Sequence, residues 1–386
     1  MQQKSKVFYF KRWCRKNFAI FASLKRQIVI SCIALGCSFL AKPTEGLAQV
    51  GCDTLKHHLN EVDVIGDLPP ETPLMENALL QISISQKEVE RAPIQSVSEL
   101  LEHFPGVDIR QRGPFGTQAD ISYRGGNFDQ TMLLLNGINF TDPQTGHYNL
   151  NLPISFNAIR KVELYNNTSA FLFGSSPFSG LINIITIPEA KNSLNTWLSG
   201  GMYGYFNGGA AITFKTGNVT HLLSGDYSRS DGYIHNTDFS IGSLFYQNIS
   251  EFKTGKLEFQ IGYSDKKYGA NGFYSLRFPD QYETVKTGFG SILYRYKKRN
   301  IEVIPSLYYR VNADCFELIK NQSVLKNNYH LSQIGGANLL TAFYTKGGKT
   351  SLSIDARMED ILSTSLGETI RNPVPTFLGS VFYNHR

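Results

Sequence analysis

Hydrophobic spacing divides the chain into two regions. From about Glu61 to Ala190 short elements of both kinds alternate. Ser96 to Phe104, SVSELLEHF, puts Val97, Leu100, Leu101 and Phe104 on one helical face. Ser96 is the expected N-cap and Glu99 its capping-box partner, and Pro105-Gly106 ends the helix. VDIRQRG, QADISYRG, TMLLLNGINF, KVELY and GLINIIT then read as strands between turn residues. After about Asn192 the period falls to two. NTWLSGGMYGYF, NVTHLLSGDYSRS, FSIGSLFYQN, KLEFQIGYSDKK, KTGFGSILYRYKK, NIEVIPSLYYRV, LSQIGGANLLTAFYTK and KTSLSIDARM all alternate. They are joined by turns such as Lys215–Asn218 and Lys346–Lys349 or by longer polar loops. In LEFQIGY, Leu257, Phe259, Ile261 and Tyr263 share one face, and Glu258, Gln260 and Gly262 the other. Apolar outward and polar inward is the pattern of a transmembrane barrel strand. A soluble β-sandwich alternates as well, so the ends and the composition have to decide.

Eight of the first 26 residues are Lys or Arg and none is acidic. Ile28 to Ala41 is an apolar run of 14 residues, short of the roughly 20 a spanning helix needs. With small residues at Gly46 and Ala48, residues 1–48 read as a secretory signal peptide. An N-terminal anchor, or a lipoprotein site at Cys37 or Cys32, is the alternative. Residues 1–48 hold nine of the 38 basic and one of the 32 acidic side chains, leaving 29 against 31 and a net charge of −2 beyond them. The overall basicity is therefore a targeting feature, and nucleic acid is not an expected partner. Cys52 and Cys315 remain outside the leader, too far apart for a framework and in no metal-ligand spacing. With 26 Phe, 20 Tyr and 34 Gly, an exported, helix-poor chain fits a β-barrel better than a sandwich. No Ser/His/Asp, Cys/His or paired-carboxylate constellation stands out, so no enzyme is expected.

The glycines of QADISYRGGNFDQTMLLLNGINFTDPQTG would suit a phosphate cradle. Yet no Gly-x-x-x-x-Gly-Lys or Gly-x-Gly-x-x-Gly follows a strand and opens a helix. Residues 96–187 instead resemble the plug domain of a TonB-dependent outer-membrane receptor. The resemblance rests on the helix before Pro105-Gly106-Val107, on Ile121-Ser122-Tyr123-Arg124-Gly125, and on Leu133-Leu134-Leu135-Asn136-Gly137. It continues through Ile159-Arg160-Lys161-Val162-Glu163-Leu164, Phe173-Gly174 and Ser179-Gly180-Leu181-Ile182-Asn183-Ile184-Ile185-Thr186. The form of QADISYRGGNFDQT and NGINFTDPQTGH is similar to the cobalamin-receptor-like branch of Bacteroidetes.

The resemblance implies an α+β plug domain followed by an antiparallel transmembrane β-barrel. The expected division is a signal peptide over 1–48, an N-terminal segment over 49–66, the plug over 67–191 and barrel strands over 192–386. Within the N-terminal segment, Glu61, Val62, Asp63, Val64, Ile65 and Gly66 resemble a TonB box, an extended stretch suited to strand addition on a partner. An ordinary first plug strand is the other reading. Arg124, Gly125, Asn136, Gly137, Gly180 and Asn183 are the expected structural motif, with Arg124 reaching carboxylates on the plug or barrel wall. Gln111, Arg112, Gly113, Phe115 and Gly116, with Asp142, Gln144, Thr145, His147 and Tyr148, correspond to loops that face ligand. A solvated loop histidine is the plain alternative for His147. Asp129 and Asp142 are weak calcium candidates, since such a site needs six to eight oxygens; no other cofactor is expected.

Expected partners are the TonB–ExbB–ExbD energising complex, outer-membrane lipid, a small-molecule ligand and a surface lipoprotein. The expected function is energised import of a scarce solute, first a corrinoid such as cobalamin. A siderophore receptor, or a non-transporting adhesion or structural β-protein of the outer membrane, is the alternative. Three departures from the family pattern stand out. Asn136 replaces the commoner Asp, a mild change. Tyr165-Asn166-Asn167 replaces Leu-Arg-Gly, removing an arginine from the plug–barrel contacts. About ten strand candidates follow the plug, against about 22 in transporters of this class. The expectation is an incomplete barrel from a truncated or split receptor.

Signal cleavage after Ala48 gives a checkable outcome: N-terminal sequencing of envelope protein should begin at Gln49. A start at Cys37 or Cys32 would establish a lipoprotein instead.

Overall fold

The computed structural model describes residues 80–85, 94–165, 171–173, 179–186, 192–322, 327–346, 348–365 and 374–385. The signal-peptide reading and the Glu61–Gly66 stretch lie outside the described residues.

The N-terminal domain opens with β1 (Leu80–Ser85), a strand that the sequence patterns did not pick out. Helix α1 (Val97–Glu102) follows, with the Ser96 side chain accepting from Glu99 N at 3.2 Å. Glu99 does not close the expected capping box. Its carboxylate accepts from Gln95 N at 2.8 Å, one residue upstream of the cap. Leu100, Leu101 and Phe104 are fully buried, as the helical spacing required. Next come the hairpin β2 (Val107–Gln111) and β3 (Ala119–Tyr123), then β4 (Thr131–Leu135) and β5 (Ile138–Asn139). TMLLLNGINF is thus two strands. Asn136 and Gly137 have φ of 53° and 80°, the left-handed pair that a two-residue hairpin turn needs. Strands β6 (Lys161–Tyr165) and β7 (Gly180–Ile185) complete a sheet of order β1-β6-β7-β4-β5. Its β4–β7 pair is parallel and the others antiparallel. All six residues of β7 are buried, so this sheet is covered on both faces and reads as a continuous apolar run.

Ten strands then form one antiparallel wall. They are β8 (Ser193–Gly200), β9 (Phe206–Thr216), β10 (Val219–Ser230), β11 (Phe239–Phe252) and β12 (Gly255–Gly269). The wall continues with β13 (Tyr282–Lys298), β14 (Ile301–Glu317), β15 (Asn328–Thr345), β16 (Gly348–Ser363) and β17 (Val374–His385). Each pairs with its chain neighbours, and β8 and β17 do not pair with each other, so the sheet is open among the described residues. NTWLSGGMYGYF is not one strand. It breaks at residues 201–205, where Tyr203 and Gly204 have φ of 57° and 63°. Four connections have two residues; the other five, all at the opposite end, have five to twelve. Short turns on one rim and longer loops on the other are the asymmetry of outer-membrane barrels, the longer loops being extracellular. Pro305 sits inside β14 with no N–H to give. The β13–β14 ladder skips Ile304 and Pro305 on one side and Tyr294 and Arg295 on the other.

Burial settles the choice left open by alternation. On β12, Glu258, Gln260, Ser264 and Lys266 are buried while Ile261 is 50% exposed. Leu307, Ile354 and Val381 are exposed on other strands. A sandwich would bury the apolar face; here it points outward, as lipid requires, and the polar face covers the N-terminal domain. Inward apolar wall residues such as Leu222, Phe245, Phe289 and Leu340 join that domain's core.

A lysine in place of Ile261, near the middle of its strand, should therefore cost about 2–4 kcal/mol. The expected readout is a lower urea midpoint for the folded species in lipid vesicles, with no such loss for Tyr233→Lys in a connecting loop.

Candidate functional site

Two segments of the N-terminal domain reach the long-loop rim of the wall. The first follows β2. Arg112 donates to Asp120 Oδ2 from Nε at 3.2 Å and Nη2 at 3.0 Å, and from Nη1 to the Phe273 carbonyl at 2.8 Å. Phe273 belongs to the β12–β13 connection, so this guanidinium ties domain to wall. A Cβ on Gly113 would lie 2.3 Å from Thr117 Oγ1 and 2.6 Å from the Phe273 ring, so a larger residue would have to push those side chains aside. Phe115, at a φ of 53°, stacks on Tyr205 with centroids 4.5 Å apart. The Gly116 carbonyl accepts from Lys266 Nζ at 2.8 Å, and the Gln118 amide donates to Tyr274 Oη at 3.0 Å. Gln111 is exposed at the end of β2.

The second segment, Asn139 to Pro153, is held by a fully buried ion pair. Asp142 meets Arg310 of β14, with side chains 0% and 1% exposed. Ser332 of β15 donates to the same carboxylate at 3.3 Å, and Gln144 N donates to Oδ1 at 2.8 Å. Arg310 also lies 4.7 Å over the Phe140 ring and donates to the Tyr148 carbonyl at 3.3 Å. Tyr148 Oη donates to Glu283 Oε1 of β13 at 2.6 Å, and Tyr274 Oη to Oε2 at 2.9 Å. Burial first, then the neighbouring Glu283 charge, pushes the Tyr148 hydroxyl well up, so it stays a donor.

His147 is joined to the first segment rather than left solvated. Thr145 caps its short turn, and its Nδ1 donates to Asp120 Oδ1 at 2.5 Å, since a carboxylate only accepts. Its ring lies 4.3 Å from that of Phe128. Burial raises the Asp120 carboxyl, but the hydrogen bonds and charges of His147 and Arg112 outweigh it and hold the group below its ordinary value. The structure thus brings Arg112, His147 and Asp120 together.

The structural motif departs from expectation at Arg124. Among the described residues it meets no carboxylate; it is exposed, its guanidinium 5.7 Å from the Tyr123 ring centre. Its φ of 54° places it in the turn leaving β3, with Gly125 next, rather than on a strand facing the wall. Asn136 carries more than a mild change. Its amide donates to Thr186 Oγ1 at 2.8 Å and to Gln260 Oε1 of β12 at 2.7 Å, while its Oδ1 accepts from Thr186 N. An aspartate could not donate to Gln260. Gly137 N donates to Asn183 Oδ1, and Gly180 packs against the Tyr123 ring. Asn166, which stands in the arginine's place, and Asn167 lie outside the described residues.

The two calcium candidates are both engaged with other partners. Asp142 is taken by Arg310, and Asp129 Oδ1 accepts from Gly146 N at 2.7 Å. Among the described residues no three His, Cys, Asp or Glu converge as metal ligands. The wall partners Arg310, Glu283, Lys266 and Tyr274 escaped sequence reading. The signal available for the first three was a charge at an inward position of an alternating strand.

Removing one member of the buried pair should hurt far more than removing both. Asp142→Ala strands the Arg310 charge and should cost about 3–5 kcal/mol. Asp142→Leu with Arg310→Met should recover most of that loss, read as urea midpoints on the same membrane preparation.

Comparison with known proteins agrees with this geometry. Residues 75–181 match the model of the TonB-dependent Receptor Plug Domain. A vitamin B12 transporter BtuB of Vibrio vulnificus is 27% identical over 42% of this chain and 27% of its own length. One from Vibrio cholerae is 31% identical over 31% of this chain and 19% of its own. The matched stretch is therefore about a quarter of these relatives or less. Among solved structures, the copper transporter OprC superposes with a TM-score of 0.61 at 15% identity, covering 73% of this chain and 46% of OprC. The unliganded ferric citrate transporter FecA gives 0.58 at 14% identity, covering 78% and 50%. At such identities the superpositions speak for the fold alone. Residues 75–181 are thus a TonB-dependent receptor plug domain, and the wall beside them shares its fold with the transporters OprC and FecA.

Proposed function

We propose that this chain serves TonB-energised import of a corrinoid across the outer membrane. The observation that carries the reading is the placement of two polar plug loops at the long-loop rim, each tied to the wall by named contacts. Arg112 and Gln118 hold one through Phe273 and Tyr274; Asp142 and Tyr148 hold the other through Arg310 and Glu283. A solute arriving from outside meets a surface of amides, a histidine and aromatic rings fixed by their partners, which suits a large, amide-rich ligand. That the two Vibrio relatives are vitamin B12 transporters supports the same substrate class.

In this reading His147, Gln144 and Arg112 offer contacts to the bound solute. The plug closes the lumen, and no residue performs bond chemistry. The work comes from the energising complex, which engages the extended stretch Glu61–Gly66 by strand addition. The leader over 1–48 delivers the chain for export.

Val64→Pro removes a backbone donor from that stretch and should separate two measurements. Binding of labelled cobalamin to cells should persist while its uptake falls to background. Equal loss of both would show that the stretch belongs to the plug fold, and retention of both would sink the energised-import reading.

A further inference from the structure

Plug and wall do not touch evenly. Beside β12 the approach is tight: a Cβ on Gly262 would lie 2.7 Å from Pro153. On the β13–β15 side the plug is held by the Asp142–Arg310 ion pair and the Tyr148–Glu283 bond. Toward β8–β11 and the Ser264–Lys266 end of β12, the two stand apart over a cavity of about 90 Å³. That is room for about three waters at ~30 Å³ each. The wall contributes Trp197, Asp226, Ser228, Ser264 and Lys266; the plug contributes Ser98, Asn151 and Asn157. Ser264 is 2% exposed, and its hydroxyl has no hydrogen-bond partner.

The roof of this cavity is Phe115-Gly116. Both residues have left-handed φ, 53° and 75°. For phenylalanine that conformation is strained, so contacts rather than backbone preference hold the roof in place. Those contacts are the Phe115–Tyr205 stack, the tilted Phe115–Phe239 ring contact at 5.7 Å and the Lys266 ammonium on the Gly116 carbonyl at 2.8 Å. Asp226, which accepts from the Ser243 hydroxyl, compensates the ammonium charge. The remaining polar lining is hydroxyl and amide.

We propose that this cavity is a waypoint on the solute path, taking an uncharged hydroxyl- or amide-bearing part of the cargo, with Lys266 as the latch of its roof. The proposal rests on the importer reading and adds the sector of the lumen used. Opening here breaks one charge-assisted hydrogen bond and two ring contacts of Phe115. Opening beside β14 breaks a fully buried ion pair, which costs more.

The test uses the full chain in outer-membrane vesicles, with native cysteines replaced by serine and Ser264→Cys added. A membrane-impermeant thiol reagent should label this cysteine slowly. Lys266→Met with Asp226→Asn, which avoids stranding a buried carboxylate, should raise the rate about 10-fold, as losing one charge-assisted hydrogen bond predicts. Lys266→Arg keeps a donor and should stay slow. A cysteine at Ser291, on β13 beside the Asn136–Gln260 contact, should not respond. An unchanged Ser264→Cys rate, or an equal rise at Ser291, overturns the latch. Filling the cavity with Ser228→Phe should reduce cobalamin uptake about 10-fold while surface binding persists; unchanged uptake overturns the waypoint. Absence of uptake in the parent chain would remove the importer reading and the waypoint with it. The labelling rates need no energy source and would still decide the latch.

Discussion

A polar inner wall is the constraint on which this structure depends. Lipid takes the apolar face of every strand, so what points inward is Gln260, Lys266, Glu283, Arg310 and their neighbours. Such side chains are costly to bury unmatched, because each unpaired polar group in a low-dielectric interior costs on the order of 1–3 kcal/mol. The plug is therefore held to the wall by more than the apolar packing of Leu222, Phe245 and Phe289 on its core. It is hydrogen-bonded to it, and the Asp142–Arg310 pair is the strongest instance.

This explains a division of labour within the plug. Its sheet is covered on both faces and carries the apolar core, with Leu133, Ile182 and Val162 fully buried. Its loops carry the polar surface that answers the wall. Asn136 stands at the junction: the turn between β4 and β5 fixes its backbone, and its amide joins the core strand β7 to Gln260 through Thr186. Position and chemistry of the loops are thus set by the core beneath them and by the wall beside them.

Much of the fold was legible because it follows from local spacing. Helix α1, the hairpin glycines and the inward polar face of β12 need only near neighbours to be read. What was not legible depends on distant partners or on ambiguous short runs. Leu80–Ser85 offers six residues and no flanking turn signal, so β1 becomes a strand only by pairing with β6. NTWLSGGMYGYF alternates straight through its own turn. Arg310 and Asp142 are 168 positions apart, and nothing local distinguishes them from other charges on polar faces. Arg124 shows the converse: the motif was recognisable, but neither its place in the turn after β3 nor its aromatic neighbour followed from it.

The strand order β1-β6-β7-β4-β5 has a mechanical meaning. Among the described strands, tension applied from the N-terminal side reaches β1 first, and there β1 lies at the sheet edge with one neighbour. Its ladder to β6 is short and irregular between Leu80 and Ile82. Peeling it away breaks a single ladder and leaves β6, β7, β4 and β5 paired. The parallel β4–β7 pair encloses the chain segment that bears Asp142 and His147, so those loops stay anchored after the first element has gone. Edge placement makes β1 a sacrificial element: the sheet yields in steps, from the edge inward, instead of failing at once.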